Sequence, residues 1–345
     1  MNYTDSYWDD VDRIIPHIPN KEKLKEKRVL ITGATGLLCS PVVDVLIHLN
    51  RAYGYGIRTI LAGRSPERQK KRFSDIDDGN ISYIHYDLED DEAISAEVDY
   101  IIHGAGIANP VDYATKPVEI LYGTVNGIKK VLDTCRNNKG SRLLYVSSSE
   151  VYGFRNDDNM DPYDEDECNY LNTLASRSCY PQAKRSAETL CTAYISEYDI
   201  EAVIARPGHV YGPSVTETDG RAGSVFARIA KSEGCVKMKG AGNQLRSYCY
   251  TLDCASALLT VLLNGANGEA YNVSNPNSVV TIRDLAEGFA EAVGGEIIME
   301  NPSDTEKAGY TKMTNSSLKS DKLEALGWKG EFDIKEGTKR TIELM

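Results

Sequence analysis

From Arg28 onward, short runs of β-branched and apolar residues alternate with longer segments of helical period. The runs are Val29 to Thr32, Thr59 to Ala62, Ile81 to Tyr86, Tyr100 to His103, Leu143 to Ser147 and Ala202 to Arg206. Continuous apolar runs of this length, separated by helices, predict parallel strands buried on both faces. The intervening helices include Val42 to Leu49, Pro117 to Arg136 and Tyr180 to Glu197. Six strands in this rhythm predict an α/β, doubly wound parallel sheet of the Rossmann type over residues 26–206. After Arg206 the rhythm breaks into loops rich in Gly, Ser and Pro, with helices expected over Val225 to Lys231 and Ile282 to Val293. Residues 207–245 and 264–345 are read as a smaller C-terminal substrate-binding region, while 246–263 return to the Rossmann domain. Residues 1–25 form an N-terminal extension, with Trp8 and the Ile14-Ile15 pair as its anchors.

Composition narrows the class. The chain has 345 residues and a formal net charge of -12, which argues against nucleic acid and anionic membrane surfaces as partners. No apolar run reaches the ~18 residues that suggest a membrane span. The opening MNYTDSYWDD lacks the basic and then apolar stretches of a secretory signal, so a cytoplasmic location is expected. The eight cysteines are scattered without a CxxC pair, and the five histidines do not cluster. They read as reduced thiols and isolated imidazoles, with no metal site.

Three motifs carry chemistry. The turn Gly33-Ala34-Thr35-Gly36-Leu37-Leu38 follows the first strand, where glycines let a diphosphate approach backbone N–H groups at a helix start. Cys39 takes the third small-residue position. The serine run Ser147-Ser148-Ser149 ends the fifth strand, and Tyr180 stands four residues before Lys184 in YPQAK. A phenol with an ordinary pKa of ~10 acts as a base near neutrality only beside a positive charge. Lysine at i+4 on a helix places one on the same face. Ser148 is then suited to hold the hydroxyl whose proton Tyr180 removes. At the end of the second strand, where an acid would bind the ribose of NAD, the sequence has Arg64, suited to a 2′-phosphate or to stacking on adenine. Asp87 is placed toward the adenine amino group, and Gly104 and Ala105 toward the diphosphate or ribose. Seven carboxylates between Asp157 and Glu167 read as a solvated loop.

Together these residues resemble the extended short-chain dehydrogenase/reductase superfamily, in its nucleotide-sugar epimerase, dehydratase and decarboxylase branch. The resemblance runs from Arg28 to Thr341 and rests on TGATGLL, HGAG (103–106), SSSEVYG (147–153), YPQAKRSAETL (180–190), RPGHVYGP (206–213), LRSYCYTLDCASAL (245–258) and LGW (326–328). It implies catalytic Ser148, Tyr180 and Lys184, with Glu150 as a further candidate at a position where dehydratases and UDP-glucuronate decarboxylases carry glutamate. The cofactor set is Gly33, Thr35, Gly36, Leu37, Leu38, Arg64, Asp87, Leu88, Gly104 and Ala105, joined by Tyr180 and Lys184. Substrate contacts are Ser148, Ser149, His209 and Arg246, the last matching the arginine that grips the nucleotide diphosphate. Asp253 matches a structural acid.

Two positions depart from the pattern: His209 and Thr124 stand where the family usually has asparagine. The cofactor is NADP by the local Arg64 and NAD by family habit. The implied reaction is oxidation of a nucleotide sugar, usually at C4, followed by epimerisation or elimination at the 4-keto stage. Decarboxylation, for which RSCY before PQAK speaks and against which RPGHVYGP speaks, and NADPH-dependent reduction of a keto sugar are the alternatives. Ser149 replaces the aspartic acid of one dehydratase group. A sensor of the same fold that has lost catalysis is disfavoured by the intact Ser148, Tyr180 and Lys184. Relatives dimerise through two long helices, here 117–136 and 180–197, which makes a homodimer the expected assembly.

Overall fold

The computed structural model describes residues 3–89, 94–155, 160–303 and 313–345. Seven parallel strands make the main sheet: β1 (Arg28–Thr32), β2 (Arg58–Gly63), β3 (Ile81–His85), β4 (Tyr100–His103), β5 (Arg142–Val146), β6 (Glu201–Pro207) and β10 (Ala270–Val273). Their order across the sheet is β3-β2-β1-β4-β5-β6-β10. The order reverses between β1 and β4, and a crevice at the carboxyl ends of the strands is where such sheets bind ligands. The doubly wound α/β expectation therefore holds.

Helices cover both faces, as all-parallel sheets require. The ones flanking the site are α2 (Cys39–Tyr53), α3 (Pro66–Phe73), α4 (Pro110–Thr115), α5 (Pro117–Asn137) and α6 (Cys179–Tyr198). α8 (Thr251–Asn264), which follows α7 (Ala222–Glu233), is buried along nearly its whole circumference. This is the pattern of a helix inside a large protein's core, and it packs against α2 and the sheet.

β10 departs from the sequence reading, which places 264–345 wholly in the substrate region. Its residues pair in register with β6, Ala270 with Ile204 through Val273 with Pro207. The strand signal is masked by Asn272, a polar residue in a four-residue run. Asn272 is fully buried because it accepts from the Tyr152 hydroxyl at 2.5 Å and donates to the Tyr163 carbonyl at 3.1 Å.

The smaller region is built on β7 (His209–Tyr211), β8 (Val236–Met238), β9 (Leu245–Tyr250), β11 (Val279–Thr281), β12 (Ile297–Met299) and β13 (Asn315–Ser316). β9 pairs with β7, β11 and β13, and β8 pairs with β12. It also carries α9 (Ile282–Val293), α10 (Asp321–Glu324) and α11 (Ile334–Leu344). Asp253, at the start of α8, accepts from the backbone N–H groups of Glu331 and Phe332 and from Asn275, which ties the C-terminal segment to the core. That is a structural task.

The N-terminal helix α1 (Asp5–Ile14) is capped by Thr4 and lies in the main core, where Tyr7, Val11 and Ile14 are buried and Trp8 is half-buried. Arg13 pairs with Glu331 at 2.9 Å and Arg340 with Asp10 at 2.7 Å, so the two ends of the chain hold each other. In the acidic loop, Asp157 and Asp158 lie outside the described residues. Farther along, Glu167 pairs with Arg155, and Glu165 accepts from the Asn272 N–H at 2.9 Å.

Candidate active site

The Gly33 turn is held by close backbone packing. Gly33 has φ +72, and a Cβ there would lie 2.7 Å from the Gly104 carbonyl carbon. Only glycine supplies both that conformation and that close approach. Gly104 in turn faces the Cys39 sulfur, so cysteine at the third small-residue position is accommodated because its neighbour just past β4 has no side chain. Thr32 fixes the strand end: its hydroxyl bonds the His103 Nδ1 at 2.7 Å and accepts from the Ala105 N–H at 3.2 Å. Burial first, and then Lys184, push the His103 pKa down to about 3, so this ring is neutral.

The loop after β3 is moored on α5. Asn126 donates to the Leu88 carbonyl at 2.6 Å, Lys130 donates to the Asp87 carbonyl, and Leu88 packs over Gly123 and Gly127. Leu37 is buried behind the turn, and Arg64 is exposed at the end of β2.

Ser148 and Tyr180 come together from β5 and α6. Ser148 sits just past β5 in extended conformation and caps the short 3-10 turn Ser149–Tyr152 by accepting from the Glu150 N–H at 3.2 Å. Ser149 is buried in that turn. Tyr180 is the second residue of α6 and is buried. Lys184, one turn on, donates from Nζ to the Val146 carbonyl at 2.7 Å and lies 4.8 Å from the Tyr145 ring centre and 5.9 Å from that of Tyr180. The sequence spacing therefore places the cation beside the phenol.

Electrostatics qualify the expectation that Lys184 pulls Tyr180 down. Burial is the largest influence on Tyr180 and raises its pKa, and the Glu150 carboxylate raises it further. The Ser148 hydroxyl, Arg221 and the Tyr113 hydroxyl oppose. Burial also depresses Lys184 to about 8, with Glu188 opposing. Lys184 thus carries its charge at neutral pH and loses it as pH rises through that value.

Sequence reasoning misses three side chains here. Tyr113 of α4 stacks on Tyr180 with ring centres 4.7 Å apart. The Arg177 guanidinium lies 4.4 Å from the Tyr113 ring centre and holds Glu150 by both oxygens, at 3.0 and 2.9 Å. Bidentate arginine–carboxylate pairs of this kind are among the strong, geometrically specific ones. Arg221, at the start of α7, pairs with Asp219 and acts electrostatically on both Tyr113 and Tyr180. The RSCY pattern contained Arg177, but nothing local marked it as a partner of Glu150.

The expected substrate contacts differ in character. Arg246 on β9 is 2% exposed and donates to the Leu245 and Met313 carbonyls, each at 2.8 Å. His209 on β7 tilts against Tyr248 with ring centres 5.6 Å apart, and its Nδ1 is buried without a partner among the described residues. Burial, then Arg246 and Arg221, drive its pKa down to about 3, so the ring is neutral.

Residues 29–274 match the family described as the NAD dependent epimerase/dehydratase family. UDP-glucuronic acid decarboxylase 5 of Arabidopsis thaliana is 31% identical over 313 residues, spanning 90% of this chain and 86% of that one. Among solved structures, the dTDP-glucose 4,6-dehydratase DesIV of Streptomyces venezuelae, with NAD bound, superposes with a TM-score of 0.77 at 21% identity, covering 92% of this chain and 96% of its own. The UDP-glucuronic acid 4-epimerase of Bacillus cereus, in complex with UDP-glucuronic acid and NAD, gives a TM-score of 0.74 at 18% identity, covering 92% and 98%.

Proposed function

We propose, from the premise that this chain belongs to the NAD dependent epimerase/dehydratase family, that it decarboxylates a nucleotide-linked hexuronic acid after oxidation at C4. NAD(P), when bound at the Gly33 turn, would accept a hydride from the sugar and later return it. The residues do the rest. Ser148 orients the C4 hydroxyl and Tyr180 takes its proton, beside the charge of Lys184.

The observation that carries the choice of reaction is the bidentate lock of Arg177 on Glu150. A 4,6-dehydration needs a base to remove the C5 proton and an acid to protonate the departing C6 hydroxyl. Glu150 has both oxygens engaged, and Ser149 offers no carboxylic acid. A C6 carboxylate lies β to a C4 ketone and needs no base: the C5–C6 bonding electrons pass to the ketone as CO2 leaves, Tyr180 returns its proton to O4, and a solvent proton adds at C5. Arg246, whose hydrogen-bond partners among the described residues are backbone carbonyls, supplies local positive charge for a polyanionic substrate in a chain of net charge -12. The 31% identical decarboxylase supports the same reading.

Product masses test it. With UDP-glucuronic acid, loss of CO2 is the expected result. An unchanged mass with altered chromatography means epimerisation, loss of water from UDP- or dTDP-glucose means dehydration, and stoichiometric consumption of added NADPH means a keto-sugar reductase.

The assembly that fits best is a homodimer through α5 and α6. Val118, Leu121 and Tyr122 are exposed on α5, an apolar set large enough to favour being covered. Sedimentation at the mass of one chain would refute it. Among the described residues no helix is long and apolar enough to cross a membrane, and the eight free cysteines suit the reducing conditions of a cytoplasmic location.

A further inference from the structure

We infer that the cofactor of this chain carries a phosphate on its adenosine 2′ oxygen: NADP is bound in preference to NAD. The inference rests on the dinucleotide reading of the Gly33 turn and deepens it.

With the diphosphate at the β1 turn, the adenosine ribose lies beside the carboxyl end of β2. A free 2′-hydroxyl is read there by a carboxylate that accepts its proton, and the same carboxylate repels a 2′-phosphate. β2 ends in Leu61-Ala62-Gly63 with Arg64 next, so neither position before the arginine carries an acid. Ala62 is fully buried. A Cβ on Gly63 would lie 2.6 Å from the end of the Gln69 side-chain amide. Gln69 is itself buried, and in the amide orientation that satisfies both ends it donates to the Leu61 carbonyl at 3.3 Å and accepts from the Gly63 N–H at 3.2 Å. A glutamine from α3 thus lies against Gly63 at the end of β2.

The first side chain free to emerge is Arg64, which is exposed and has no hydrogen bond or ion pair among the described residues. Beside it Ser65 caps α3 by accepting from the N–H of Arg68, a second exposed arginine. The nearby carboxylates have local partners: Glu67 accepts from the Ser65 hydroxyl at 3.4 Å, and Asp87 accepts from the Glu89 N–H at 3.2 Å. An unpaired guanidinium at this corner of an acidic protein matches a phosphate monoester, which arginine binds through two parallel N–H groups.

The test measures binding, independently of turnover. Nucleotide released by heating the purified protein is identified by mass, and NADP+ and NAD+ are titrated into wild type and Arg64→Ala. NADP+ is expected to bind at least about tenfold more tightly than NAD+, and Arg64→Ala to weaken NADP+ by about ten- to a hundredfold while changing NAD+ less than about threefold. Because Arg64 is exposed, the melting temperature should not move. Equal or tighter NAD+ binding by wild type, or equal weakening of both cofactors in Arg64→Ala, would overturn the inference. Binding of neither overturns the dinucleotide reading itself, which separates the two failures.

Discussion

Tyr180→Phe is expected to lower kcat by about 10²–10⁴-fold, the range for removing a positioned acid–base group, while leaving the fold intact. Phenylalanine keeps the ring that stacks on Tyr113 at 4.7 Å and removes only the oxygen to which we assign the proton exchange. Circular dichroism and melting temperature should match wild type, and turnover on the substrate identified by product mass should nearly vanish. Unchanged turnover would remove Tyr180 from the mechanism. Glu150→Gln supplies an independent reading of the same phenol. Burial comes first among the causes that raise the Tyr180 pKa and Glu150 second, so deleting that negative charge favours the phenolate. Any limb of the pH–rate profile that reports Tyr180 ionisation should move to lower pH. The positive charge of Arg177, no longer offset by Glu150, acts in the same direction.

How far the sequence reached depends on whether a feature is local. The strands β1 to β6, the Gly33 turn and the Tyr180–Lys184 spacing are written in short contiguous segments, and periodicity recovers them. Tyr113 is one of 21 tyrosines, and its importance lies in a stack with a residue 67 positions later. Arg177 sits beside a motif already singled out, yet its pairing with Glu150 crosses 27 positions. β10 escaped because a buried asparagine interrupts its apolar run, and its hydrogen-bond partners Tyr152 and Tyr163 come from another part of the chain. The corner at the end of β2 mixes both cases: Arg64 was visible, but the Gln69 amide that lies against Gly63 was not. Each omission is a tertiary contact between residues whose types are individually unremarkable.

Deleting residues 1–18 is expected to abolish cooperative folding, because the N-terminal helix is part of the core. Tyr7, Val11, Ile14, Ile15 and Ile18 are each at most 2% exposed. Burial of such side chains contributes about 1.5–3 kcal/mol each, so together they approach a domain's whole net stability of about 5–15 kcal/mol. The truncation also strips Asp44, fully buried on α2, of the Tyr3 and Tyr7 hydroxyls that donate to it at 2.8 and 2.6 Å. Thermal unfolding of the truncated chain should show no cooperative transition, and a melting curve superimposable on wild type would contradict the assignment. Tyr7→Phe isolates the polar part. Burial raises the Asp44 pKa above its ordinary 3.8, with Arg72 and the two tyrosines opposing. A raised folded value means the native state holds this proton more tightly than the unfolded chain. The group's contribution is therefore full below the unfolded value and is lost as pH rises through the folded one. Removing the Tyr7 donor raises the folded value further, so Tyr7→Phe should cost about 1–3 kcal/mol at neutral pH and less at pH near 4. A penalty that does not shrink on acidification would mean that Asp44 is not the partner through which Tyr7 acts.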